Sequence, residues 1–221
     1  MSTQELSMIT VLIVDDHPPT RAGIRAMIEK ASDIHVVGEA DNNDEAQRLV
    51  CELRPKIVLL DLIMPDFSPS SFERWARENY PETITLVLTA HDRDAYLASM
   101  IDAGAAGYLD KKLRAEQLIN AIHHAADGET YFSDEQLIRV QKWKHEVIAK
   151  WENLTSREQE LLNHLAKGES NKTIAKSLNI TLKTVEFHMT SILKKLNMNS
   201  RDEVIVWILE HGLDVPDCTK D

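Results

Sequence analysis

The strongest constraint on the fold of this chain is an alternation that fills its first half. Short apolar, β-branched runs at Ile9–Val14, Ile34–Ala40, Lys56–Leu60, Thr83–Thr89 and Ala106–Leu109 read as strands. Their near-continuous apolarity marks them as buried on both faces. Between and after them, Pro18–Lys30, Asn43–Leu53, Ser70–Glu78, Arg93–Ala103 and Arg114–Ala126 place apolar residues at helix spacing. Strand–helix units in succession require a parallel sheet, because each crossover must return the chain to the same edge. Residues 1–127 are therefore expected to form a doubly wound α/β domain with a five-stranded parallel sheet. Its chemistry belongs outside the carboxyl ends of the strands, at the switch in strand order.

After Asp127-Gly128 the pattern changes. Residues 128–150 read as a linker of helix-forming composition, with Leu137, Val140, Trp143 and Val147 on an incomplete apolar face. Residues 151–221 show short helical segments with polar punctuation and no strand pattern, so the second domain is expected to be all helical. The net charge of −11 excludes wholesale electrostatic attraction to nucleic acid, but the charge is uneven. Residues 154–209 hold 8 basic against 6 acidic side chains, the one slightly basic stretch of an otherwise acidic chain. No apolar stretch approaches the roughly 20 residues of a membrane span. The opening residues lack a basic region followed by an apolar one, so cytoplasmic residence is expected. Cys51 and Cys218 lack the spacing of a zinc site or disulfide framework and read as reduced bystanders.

Five chemistry-bearing residues fall at the expected carboxyl ends: Asp15 and Asp16 after the first strand, Asp61 after the third, Thr89 ending the fourth and Lys111 after the fifth. Three carboxylates in one crevice repel one another unless a cation neutralises them, and hard oxygen ligands suit Mg2+. A carboxylate beside that ion can attack a phosphoryl group, with metal and lysine spreading the developing charge. Asp61 is the candidate nucleophile, Asp15 and Asp16 the metal holders, Lys111 the phosphoryl partner and Thr89 a hydrogen-bond donor to the added group. Singly, Asp16 could cap the helix at Pro18 and Asp61 could open a turn at Met64-Pro65; jointly, five such placements argue for a site.

The motifs VLIVDDH at Val11–His17, VLLDLIMP at Val58–Pro65, VLTA at Val87–Ala90 and AGAAGYLDKK at Ala103–Lys112 resemble the flavodoxin-like receiver domain of two-component response regulators. The resemblance implies that Asp61 is the phosphorylated aspartate, Asp15 and Asp16 the acidic pair, Thr89 the switch hydroxyl, Tyr108 the switch aromatic and Lys111 the pocket lysine, with Lys112 as the alternative. One departure stands beside Asp61: the stretch Asp66-Phe67-Ser68-Pro69-Ser70 has no glycine where many receivers do.

In the second domain Val185, His188, Met189, Ile192, Leu193 and Leu196 form one apolar helix stripe, leaving Lys183, Thr184, Glu186, Phe187, Thr190, Lys194 and Lys195 off it. A short helix at Asn171–Leu178, a tight connection and N-cap Thr181 precede this longer helix, which is helix-turn-helix geometry. A balance of +2 is weak for a DNA binder, so charge alone favours an ordinary bundle. The run from Leu154 to Glu203, LTSREQELLNHLAKGESNKTIAKSLNITLKTVEFHMTSILKKLNMNSRDE, resembles the LuxR-type helix-turn-helix of the NarL/FixJ subfamily. That likeness implies phosphate contacts from Lys172 with Thr173 beside it, and from Lys183, Thr184, Lys194 and Lys195. It implies base-facing roles for Glu186, Phe187 and Thr190. Glu186 stands where some relatives carry a basic residue. In Arg201–His211, Ile205, Ile208 and Leu209 could pair two domains on DNA half-sites or pack in the core.

Together the resemblances imply a transcription regulator, not an enzyme beyond its own phosphoryl transfer and dephosphorylation. The implied partners are double-stranded DNA, a sensor histidine kinase and a second copy on DNA. The rivals are an aspartyl-phosphate phosphatase, disfavoured by Ile63 where a second acid is needed, a small-molecule sensor with the same DNA-binding domain, and a phosphate-independent interaction module.

Overall fold

The computed structural model describes residues 8–211, with side chains described through Ile208. Cys218 lies outside the described residues, as does the side chain of Leu209. The chain divides into two compact units, the first reaching Ile138 and the second starting at Arg139.

The first unit is built on a parallel sheet in the order β2-β1-β3-β4-β5. Its strands are β1 Ile9–Val14, β2 Ile34–Ala40, β3 Ile57–Leu60, β4 Ile84–Thr89 and β5 Gly107–Asp110. The helices that alternate with them are α1 Pro18–Ile28, α2 Asn43–Leu53, α3 Pro69–Asn79, α4 Asp94–Ala103 and α5 Ala115–Ala126. This is the expected doubly wound fold. The side chains split by the period of a strand. Val11, Ile13, Ile57, Leu59, Leu86 and Leu88 share one core cluster with Ile24 and Ile28 of α1 and Leu118 and Ile122 of α5. The intervening Leu12, Val14, Val58, Leu60 and Val87 are also buried, on the opposite face. Switching of strand order at β1/β3 opens the crevice in which Val14, Leu60 and Thr89 end.

Local signals set the helix ends. Pro18 supplies the fixed φ of a first helical turn. The Asn42 side chain caps α2 by accepting from Glu45 N–H at 2.9 Å. Gly104 ends α4 at φ 102°, and an added Cβ there would lie 2.5 Å from Arg77 Cδ. Beside Asp61 the glycine-free loop still turns through the left-handed region, with Asp66 at φ 53°. A short polar side chain tolerates this conformation better than most.

One core position breaks the pattern. Glu73 of α3 is 1% exposed; its Oε2 and the Thr85 hydroxyl of β4 are both buried without a hydrogen-bond partner. Burial pushes the Glu73 carboxyl above its ordinary value. The nearby Thr85 hydroxyl, not aligned as a hydrogen bond, and the Arg77 charge pull it only partly back. Such a raised carboxyl contributes stability that is full below the ordinary value and lost as pH rises through the folded one. The double substitution Glu73→Leu with Thr85→Val is expected to stabilise the first unit by about 1–3 kcal/mol at pH 7. Denaturant unfolding at pH 7 and pH 4 checks it: the gain should shrink at the lower pH.

The helix α6, Asp134–Glu152, runs through the segment read as a linker, and the boundary between units falls inside it. The second unit continues with α7 Ser156–Ala166, α8 Asn171–Ser177, α9 Leu182–Leu196 and α10 Arg201–His211. Ser170 and Thr181 cap α8 and α9, accepting from Thr173 N–H and Thr184 N–H. Leu161, Leu165, Ile174, Val185, Ile192, Leu196 and Val204 centre its core. No described helix is long and apolar enough to cross a membrane.

Candidate functional site

The sheet brings the predicted acidic residues together. Asp15 and Asp61 are buried just past β1 and β3, and Asp61 N–H donates to the Val14 carbonyl at 2.8 Å, which fixes the two strand ends side by side. Lys111 follows β5, anchored by its N–H to the Thr89 carbonyl at 2.9 Å. Its Nζ bridges Asp15 Oδ2 at 2.7 Å and Asp61 Oδ2 at 2.8 Å. Burial disfavours that ammonium, but hydrogen bonds and charge from both aspartates outweigh it and hold the lysine above its ordinary value. The alternative, Lys112, is exposed and takes no place in this bridge.

The pocket also holds a residue that the strand-end argument passed over. His17 Nδ1 lies 2.7 Å from Asp16 Oδ1, and His17 N–H donates to Asp15 Oδ1 at 2.7 Å. Potential ligand atoms of Asp15, Asp16, His17 and Asp61 all lie within 4.8 Å of one another. The signal was its place directly after Asp15-Asp16, at the N-cap of α1. Asp16 Oδ1 is buried without an aligned hydrogen bond despite the close imidazole. An unsatisfied carboxylate oxygen in a cluster of hard oxygen donors fits a divalent cation.

Thr89 and Tyr108 belong to a continuous run of hydrogen bonds. The Thr89 hydroxyl accepts from His91 N–H at 3.0 Å, and the buried Tyr108 hydroxyl donates to the His91 carbonyl at 2.6 Å. Gln136 Nε2 donates to the Tyr108 carbonyl at 2.9 Å. Gln136 is itself held in the first turn of α6: Ser133 N–H reaches its Oε1 at 2.9 Å and its N–H reaches Ser133 Oγ at 3.1 Å. The strand-end hydroxyl is thereby connected to the start of the helix that follows.

In the second unit α8 and α9 form the expected pair. Lys172, Thr173, Lys183, Glu186, Phe187, Thr190 and Lys194 are exposed, and Thr184 is half-buried with its hydroxyl 2.8 Å from that of Thr181. Lys195 departs from this group. Its Nζ lies 2.7 Å from Glu158 Oε2, and Glu158 also accepts from Ser191 Oγ and from Thr155 N–H. Glu158 is only 3% exposed, so this lysine is committed to holding α9 against α7. The dimer candidates divide too. Ile208 is 3% exposed and belongs to the core, and Ile205 packs partly against it, so these two candidates are engaged within the unit. Among the described side chains of α10, the large apolar one that is exposed is Val206.

Comparisons with known proteins agree with both halves. Residues 11–123 match the family described as response regulator receiver domain, and residues 152–208 the family of bacterial regulatory proteins, luxR family. The response regulator protein VraR of Staphylococcus aureus is 35% identical over 205 residues, 93% of this chain and 98% of VraR. Among solved structures, the signal receiver domain of the response regulator NarL from Mycobacterium tuberculosis is similar at 30% identity and a TM-score of 0.54, covering 56% of this chain and 99% of that one. The RcsB response regulator of Salmonella typhimurium has the same fold at 24% identity, with a TM-score of 0.66 over 91% of this chain and 99% of RcsB.

Proposed function

Because this chain belongs to the response regulators that join a receiver domain to a LuxR-family domain, we propose that Asp61 is its phosphoacceptor and that phosphorylation there governs DNA binding by the helical unit. The observation that carries this reading is the Lys111 bridge, which supplies a cation at 2.8 Å from the carboxylate that must react. Asp61 attacks the phosphorus of a donor and forms an acyl phosphate as the donor's leaving group departs. Lys111 then has a phosphoryl oxygen to pair with in place of a bare carboxylate. Asp15, Asp16 and Asp61 would hold Mg2+, which when bound supplies charge neutralisation for the transferring group. Thr89 turns its hydroxyl to the added oxygens and so disturbs His91, whose N–H it accepts from, and Tyr108 follows because its hydroxyl donates to the carbonyl of the same His91.

The partners of this reading are a sensor histidine kinase as donor, double-stranded DNA as target and a second copy of the chain on DNA, with the protein working in the cytoplasm. Its chemistry is confined to gaining and losing its own phosphoryl group. Exposed Lys172, Lys183 and Lys194 supply the phosphate contacts of the DNA face. In a gel-shift titration the phosphodonor is expected to change the DNA affinity of the wild type and leave that of Asp61→Asn unaltered. A donor effect that persists in the variant would sink the reading.

A further inference from the structure

The outward face of α9 has an unusual content for a surface that meets DNA. Lys183, Glu186, Phe187, Thr190 and Lys194 follow helix spacing and share one face, opposite buried Val185, Met189, Ile192 and Leu196. Its flanks are cationic, but its centre holds a carboxylate and a phenyl ring that is 71% exposed. No described side chain pairs with the Glu186 carboxylate. The hydroxyls beside it are engaged: Thr190 Oγ1 donates to the Glu186 carbonyl at 2.9 Å, and Thr184 Oγ1 meets Thr181 Oγ1 at 2.8 Å. The polar reading group left at the centre of this face is an acceptor with no proton to give.

In the major groove the donors are cytosine N4 and adenine N6. Adenine presents N6 beside the N7 acceptor, which a carboxylate repels, whereas cytosine offers N4 without N7. The apolar feature of the groove is the thymine methyl, the natural contact for an exposed ring. We propose that Glu186 and Phe187 are specificity-determining residues, Glu186 selecting a cytosine and Phe187 the methyl group of a neighbouring thymine in each half-site. The same carboxylate repels phosphate, so it trades affinity for any DNA against selectivity for one sequence. This assignment rests on the DNA-binding reading above.

The test is selection from randomised duplexes by the full-length protein in the presence of Mg2+ and a small-molecule phosphodonor, followed by gel-shift titration on the selected duplex under the same conditions. Glu186→Gln should change the preference at one position of each half-site from C·G to A·T, because an amide can pair with adenine N6 and N7 together. Replacing the contacted thymine by uracil removes only the methyl group. It should weaken wild-type binding about four-fold, the worth of one buried methyl, and leave Phe187→Ala unchanged. An unaltered preference in Glu186→Gln, or no cost for uracil in the wild type, overturns the assignment alone. Selection that enriches no sequence overturns the DNA-binding reading and this assignment with it.

Discussion

Incubated with Mg2+ and a small-molecule phosphodonor, the wild-type protein should gain a single phosphoryl adduct by intact mass, and Asp61→Asn should gain none. The expected effect is complete because an amide at position 61 lacks the nucleophilic oxygen anion, and the other carboxylates of the pocket are committed. Asp15 Oδ1 accepts from His17 N–H and its Oδ2 faces Lys111. Asp16 lies against His17 and, in the proposed site, is taken up by the divalent cation. A chelator should abolish the wild-type adduct as well, since the cluster of carboxylates then has Lys111 as its principal counter-charge. An adduct of equal yield on Asp61→Asn would move the phosphoacceptor elsewhere in the cluster.

The second large effect is expected in the helical unit. Glu158 is buried, which disfavours its charge. Hydrogen bonds from Lys195, Ser191 and Thr155 overcome this and hold the carboxyl at about 2, below its ordinary value of 4.5. A shift of that size corresponds to at most about 3 kcal/mol of stability, reduced by solvent screening at the partly exposed Lys195 end. Because the folded value is depressed, the contribution is present above pH 4.5 and drains away as pH falls toward about 2. Glu158→Ala is expected to lower the stability of this unit by about 3 kcal/mol at pH 7, since it also removes the capping acceptor of α7. Thermal unfolding followed by tryptophan fluorescence in a Trp75→Phe background checks it, because Trp143, Trp151 and Trp207 all belong to the second unit. The two proteins should differ fully at pH 6 and converge as the medium is acidified; equal midpoints at pH 6 would mean that the network contributes nothing.

Most of the fold was legible because parallel strands buried on both faces leave an unbroken apolar signature, and the acidic site was legible because strand ends are fixed once strands are. Even the small misplacements have causes. The apolar pattern extends β3 and β4 to Lys56 and Thr83, but Lys56 N–H goes to Thr10 Oγ1 and the Thr83 hydroxyl to the Pro55 carbonyl. Side-chain bonds thus begin those segments one residue before the ladder. Lys195 was illegible for a different reason: its partner is 37 residues earlier, and a lysine on a polar helix face reads as solvated until the facing helix is known. The stripe of α10 announced an apolar face at Ile205 and Ile208 without saying what covers it. Glu73 gave no warning, since a glutamate at helix spacing reads as surface.

The hydrogen-bonded run from Thr89 through His91 and Tyr108 to Gln136 is a set of joints in series. In series, travel at the far end is set by the most compliant joint, and each joint here is one hydrogen bond, so weakening any of them absorbs the motion of all the rest. A line of this kind carries tension and not compression. Under the proposed mechanism, inward travel of Thr89 would draw the first turn of α6 after it, whereas outward travel would only let the line go slack.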